Sequence, residues 1–308
     1  MKWKIAGAPG AWGIEDPNNP NNPPYKKVLD DASQAGYKGL ELGPFGYMPL
    51  ELSILKKELK DRGLSIVAGT IYDDLVDESN FESVLAKVHK TCQLISQLPK
   101  PEQLEGQRYE TPYLVIIDAV KEERNAEAGH PENAKRLSEK RWNLLTNHIL
   151  EMSRIAKTYG IRGVIHPHAG GYIEFEDEIQ KIMDDLNAEE VGLCLDTGHL
   201  FYSKMKPDDY IRQYQERLDY VHFKDINHAT YEKIMNDGMG FFEGCNIGVM
   251  CPIGSGCVDY KGIRQALSDI GYNGWITIEQ ERDPLACHQS MDDAIKSIRY
   301  LNKEGYNL

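Results

Sequence analysis

The feature that most constrains this chain is an eightfold alternation of short β-branched runs with longer amphipathic segments. The runs expected to be strands are Lys4–Ala8, Gly39–Leu42, Ser65–Gly69, Tyr113–Ile117, Gly163–Ile165, Val191–Leu195, Tyr220–Phe223 and Trp275–Ile278. Between them apolar residues recur at helical spacing. Trp142, Leu145, Ile149, Met152 and Ile155 make one stripe, and Leu52, Leu55 and Leu59 a shorter one. Gly36, Gly63, Gly160 and Gly271 stand where a helix stops before the next strand. Regular strand–helix alternation specifies a parallel sheet, and eight strands close it. The expected fold is therefore α/β, a (β/α)8 barrel. A length of 308 residues suits two average domains, but barrels of this kind pass 250 residues as one unit, so residues 1–308 are read as a single domain.

Three connections are long, and all leave the C-terminal ends of strands, where barrel sites form. They are the Asn/Pro-rich stretch Asn18–Pro24, the charged stretch Lys121–Glu132 and the Gly-rich segment His228–Gly256. The last carries Phe241, Phe242 and Met250 and is expected to be a lid-like insertion at about 228–256. A packed excursion or a subunit contact is the alternative.

Composition narrows the partners. A net charge of −13 argues against a nucleic-acid partner, which calls for a basic face. No stretch approaches the apolar length of a membrane span, and the first residues carry no secretory pattern. Six scattered cysteines without a CxxC pair fit reduced thiols and a cytoplasmic setting, and do not point to cysteine as a metal ligand.

The chemistry gathers at the ends of the last four strands. VIHPHAGG places His166 and His168 two apart, hence on one side of a strand. GLCLDTGHL ends in Asp196, with His199 following. YVHFKDI supplies His222 and Lys224, and GWITIEQERDP supplies Glu279 and Glu281. Glu41 and Asp118 end strands two and four. Any one strand-end histidine is more often a hydrogen-bonded structural group, but convergence changes the weighing. Clustered buried carboxylates repel one another unless a cation is present. Mixed nitrogen and oxygen donors suit Mn²⁺, Co²⁺, Zn²⁺ or Fe²⁺ better than Ca²⁺ or Mg²⁺.

The order HPH, LDTGH, HFKD, IEQE resembles the xylose isomerase-like TIM barrel superfamily of sugar isomerases, epimerases, dehydratases and apurinic endonucleases. AGAPGAWGIEDP, GYKGLELGPFGYMP, GSGCVDYKGI and GWITIEQERDP look specifically like its inosose dehydratase branch. The resemblance implies one divalent ion, Mn²⁺ or Co²⁺ favoured, held by Asp196, His222, Glu279 and a residue of the HPH run. His166 matches the first ligand position and is preferred. His168 then faces substrate, or the two exchange roles, and Glu41 is a further candidate from strand two. The endonuclease relatives use extra histidines after strands three and four, and those strand ends here read AGTIYDD and IIDAVKEE.

A cation that polarises a sugar-like ketone favours loss of the neighbouring C–H proton. Dehydration follows if a β-hydroxyl leaves, and epimerisation or isomerisation if the proton returns elsewhere. The expected activity is a metal-dependent dehydratase acting on a keto-inositol or similar cyclic polyol ketone, with a sugar isomerase or epimerase as alternative. Glu281, His168 and Lys224 are the acid–base candidates. Ion pairing to Arg282 or Asp225 is the structural alternative for Glu281 and Lys224. Trp12, Glu41, Asp118 and His199 are candidates for contact with substrate, against plainer roles as core, polar plug or support for Asp196. Barrels of this kind often form homo-oligomers, although no surface patch in the sequence marks an interface.

Overall fold

A computed structural model describes residues 2–308. Eight parallel strands form a closed barrel: β1 (Trp3–Gly7), β2 (Gly39–Glu41), β3 (Ser65–Asp73), β4 (Tyr113–Asp118), β5 (Arg162–Ile165), β6 (Gly192–Asp196), β7 (Leu218–Phe223) and β8 (Gly274–Ile278). Sequential strands are neighbours, and β1 closes the ring against β8, with Trp3 opposite Gly274. β4, β6, β7 and β8 are buried at every residue, because helices cover one face and the barrel interior the other. In the helix Glu139–Thr158 the stripe of Trp142, Leu145, Ile149 and Met152 turns inward as its spacing requires, and Ile155 at the end of the stripe is only partly buried.

Period-two alternation divides the interior into layers. Val67, Ala68, Tyr113, Val115, Val164, Cys194, Tyr220 and Trp275 pack an apolar plug inside the barrel. The bulk of Trp275 is accommodated by Gly39, where an added Cβ would stand 2.5 Å from Val67 and 3.0 Å from the indole. Two residues further along their strands the plug gives way to polar groups. Val164 leads to His166, Cys194 to Asp196 and Tyr220 to His222.

One irregularity decides which groups meet. The pairing of β6 with β7 slips between Leu193, opposite Leu218, and Cys194, opposite Tyr220, so that Asp196 ends opposite His222. Without the slip Asp196 would stand beside Val221, whose side chain points to the outer face.

Two of the long connections carry secondary structure of their own. Lys121–Glu132 contains a helical turn, Glu122–Asn125. The excursion after β7 holds two helices, His228–Asp237 and Phe241–Asn246, and a two-stranded antiparallel ribbon of Asp225–Ile226 with Met250–Cys251. Asn227 caps the first of these helices by accepting from Thr230 N–H. The Asp225 carboxylate clasps both ends of the excursion by accepting from the backbone N–H of Ile226, Gly254, Gly256 and Val258. No helix among the described residues is long and apolar enough to cross a membrane.

Candidate metal centre

The structure brings His166, Asp196, His222 and Glu279 together, each offering a donor atom within 4.8 Å of the others. Asp196 Oδ1 is spent on the N–H groups of Gly198 and His199, capping the short helix that follows β6. Its Oδ2 is left facing His166 Nε2 at 3.4 Å and His222 Nδ1 at 3.9 Å. Glu279 Oε2 lies 3.0 Å from His222 Nδ1. Behind the ring, His222 Nε2 donates to Glu41 Oε1 at 2.8 Å, and Glu41 also accepts from Tyr220 and Thr70. A carboxylate at the back of an imidazole orients it and raises its basicity as a ligand.

Two observations test whether these residues fit a cation. His166 is 1% exposed, yet neither ring nitrogen has a hydrogen-bond partner, which is costly for a buried group. Burial also lowers its pKa to about 4, keeping the ring neutral as a ligand must be. In addition, Asp196, Glu279 and Glu281 converge on a pocket with one ammonium, Lys224, whose Nζ lies 2.9 Å from Asp196 Oδ2 and 2.6 Å from Glu279 Oε2. Two imidazoles and two carboxylates with an orphaned nitrogen among them suit a divalent transition metal. Cys194 also neighbours His166 and His222, but burial pushes its thiol up to about 11, so it remains protonated and is a poor donor.

A second group stands beside the first. His168 and His199 lie with ring centroids 3.8 Å apart, tilted by 39°, and both face Glu281 Oε1, at 3.7 Å and 3.4 Å. One residue sets opposite tautomers in the two rings. The Ala169 carbonyl can only accept, so His168 Nδ1 carries a proton and donates to it at 2.8 Å. The Ala169 N–H can only donate, so His199 Nδ1 is bare and accepts it at 3.3 Å. Neutral His199 therefore presents Nε2–H to Glu281. Burial, then His168 and Lys224, lower its pKa to about 3. Lys224 Nζ is 3.1 Å from the same Nε2, but finds its acceptors in Asp196 and Glu279. Burial opposes ionisation of Asp196, Glu281 and Lys224 alike. Their mutual attraction wins, holding both carboxyls well below and the ammonium well above their ordinary ranges.

Two candidates fall outside the pocket. The Asp118 carboxylate is used by Leu75 N–H, Tyr172 N–H and Lys121 Nζ, and so ties together the loops after β3, β4 and β5. Trp12 is fully buried in the core and its indole donates to Asp31 on the helix Tyr25–Ala35. Glu41 stands behind His222 rather than in the open mouth. The sequence reading missed Cys245, whose thiol reaches Glu281, and Ala169, whose contacts are purely backbone. It also missed Glu15, exposed on the loop after β1 but within charge range of the site. Loss of surrounding water, then Glu281, raises the pKa of Glu15. Position after a barrel strand was the available signal for Glu15.

Barrel and site together define a class. A family model described as xylose isomerase-like TIM barrel matches residues 29–304, and the chain belongs to that family. Within it, the chain is 28% identical to the inosose dehydratase of Clostridium botulinum (strain Alaska E43 / Type E3), covering 98% of this chain and 97% of that protein. Its fold is similar to that of the IolI protein solved with a bound zinc atom (TM-score 0.73, 18% identity, 98% and 99% coverage). It is also similar to the probable 3-DHS dehydratase AsbF from Bacillus anthracis (TM-score 0.72, 17% identity, 97% and 98% coverage).

Proposed function

We propose that this chain is a metal-dependent carbon–oxygen lyase that removes water from a keto-inositol or a similar cyclic polyol ketone. His166, Asp196, His222 and Glu279 would hold one divalent ion, with Mn²⁺ or Co²⁺ favoured. When bound, the ion supplies positive charge to a ketone and its enediolate. The observation that carries the reading is the pair formed by His168 and Glu281. The His168 ring turns its available nitrogen, Nε2, toward Glu281 Oε1 at 3.7 Å, so the two groups face one space. A proton carried on His168 Nε2 and an ionised Glu281 would give elimination of water its acid and its base.

Glu281 takes the proton from the carbon beside the ketone. His168 gives its Nε2 proton to the departing β-hydroxyl, which leaves as water. Transfer of the proton from Glu281 back to His168 resets the pair. Lys224 remains an ammonium and donates to substrate oxygen. His199 donates to Glu281 and holds it in place. The excursion at 228–256 acts as a lid, since its buried Phe241 packs over His168 and His199. Full-length similarity to inosose dehydratases supports the ketone as substrate class, and the free state of the cysteines supports a cytoplasmic setting.

Incubation with 2-keto-myo-inositol and Mn²⁺ or Co²⁺ tests the reading. The expected product is lighter by one water and has new ultraviolet absorbance. Deuterium uptake from solvent without loss of water would overturn dehydration in favour of epimerisation.

A further inference from the structure

The excursion between β7 and β8 touches the acid–base pair with one helical turn. In the helix Phe241–Asn246, Phe241 and Cys245 stand four residues apart and share a face. Phe241 is 1% exposed, and its ring centroid lies 5.5 Å from that of His168 and 5.7 Å from that of His199. One turn further on, Cys245 Sγ lies 3.2 Å from Glu281 Oε2. An ionised carboxylate only accepts, so the thiol donates. Burial, then the charge of Glu281, push the thiol well above its ordinary range, which keeps the proton on sulfur.

The helix carrying this thiol is firmly seated. Asn125, in the loop after β4, accepts from Phe242 N–H at 3.0 Å. Gly244 fits so closely against the preceding helix that an added Cβ would stand 2.6 Å from Ile234 Cδ1. Glu281 is thus gripped from two directions. The barrel holds Oε1 through His199, and the excursion holds Oε2 through Cys245.

We propose that Cys245 is a positioning residue whose thiol sets the rotation of the Glu281 carboxylate, turning Oε1 toward His168 Nε2. The acid–base pair is then complete only with the excursion folded across the mouth. The kinetic consequence rests on the dehydratase reading above, but the thiol–carboxylate contact does not.

The test uses the full-length, Mn²⁺-loaded protein and the variants Cys245→Ala, Cys245→Ser and Glu281→Gln. With 2-keto-myo-inositol, Cys245→Ala is expected to lower kcat roughly tenfold while KM stays within about twofold, the size of effect associated with one lost hydrogen bond to a charged group. Cys245→Ser, whose hydroxyl donates in the same direction, is expected to restore most of the loss. A serine variant as impaired as the alanine variant, or a loss confined to KM, overturns the inference. A second arm needs no turnover. Alkylation of Cys245 by iodoacetamide at fixed pH, read by peptide mass spectrometry, is expected to run faster in Glu281→Gln, because the carboxylate that accepts the thiol proton and opposes the thiolate is gone. Equal labelling in the two proteins overturns the contact. Faster labelling in a protein that never releases water from the ketone supports the contact and overturns the dehydratase reading instead.

Discussion

Replacing His166 by leucine is expected to stabilise the metal-free protein while abolishing its response to metal. The ring is enclosed at the end of β5 and neither nitrogen has a partner. An unsatisfied buried polar group costs about 1–3 kcal/mol, and leucine fills a similar volume with none. Unfolding entropy of about 2.1 cal/mol/K per residue over 308 residues makes each kcal/mol worth about 1.5 °C in Tm. Metal-free His166→Leu should therefore melt at least about 1.5 °C above wild type. For wild type, Mn²⁺ at a hundred times Kd should add about 2.7 kcal/mol, or about 4 °C. Loss of a residue that only supports a ligand weakens metal sites by roughly 10–100-fold, so loss of the ligand itself should cost at least a hundredfold. At the same Mn²⁺ concentration the variant then gains no more than about 0.4 kcal/mol, a shift below about 1 °C. Differential scanning fluorimetry of chelator-stripped protein, with and without Mn²⁺, reads all four melting points. A variant that keeps the full metal shift, or that melts several degrees low without metal, would refute the assignment of His166 as a ligand.

Glu281→Gln is expected to reduce turnover by roughly 10²–10⁴-fold, the usual contribution of a positioned acid or base, while leaving the Mn²⁺-induced melting shift intact. Asp196→Asn should lose that shift and also destabilise the metal-free protein by about 3 kcal/mol, because Lys224 keeps its buried charge but loses one of its two closest carboxylates. Acid should weaken the metal-free protein before the carboxylates titrate. His166 and His199 have folded pKa values depressed to about 4 and about 3, so their neutral rings add stability that is complete above about pH 6.5 and declines as pH falls toward the folded values. At pH 5.5 the two together should account for about 3 kcal/mol of lost stability, partly offset by His222, whose raised pKa adds stability as pH falls, and His166→Leu should remove about 1.4 kcal/mol of the acid sensitivity read by urea titration.

Much of this architecture is legible in the sequence because short β-branched runs that alternate eight times with helical stripes specify parallel strands between helices. The expected strands fall within a few residues of the observed ones, and the mouth-facing groups follow from period two along HPH, LDTGH, HFKD and IEQE. What period two cannot supply is register. The slip at Leu193 and Cys194 that brings Asp196 beside His222 leaves no trace in residue type. Nor does alternation say what lies behind a side chain. Asp118 and Glu41 both end strands, yet loop N–H groups claim one and an imidazole the other. Trp12 follows β1 as a pocket wall would, but its indole turns to Asp31. Cys245 was hidden for a different reason, because its partner lies 36 residues away, beyond the far end of the segment read as a lid-like insertion.

The clasp at Asp225 has a consequence for how such a protein can change. One carboxylate gathers both roots of the excursion, so its two ends leave and rejoin the barrel at one place, whatever contacts lie beyond it. An exchange of residues 228–249 for a shorter or foreign segment would keep the ribbon, the clasp and the four metal-binding side chains, and would replace the Phe241 and Cys245 contacts with the acid–base pair. The same scaffold could thus be refitted for a different ring or a longer substrate by grafting a cassette.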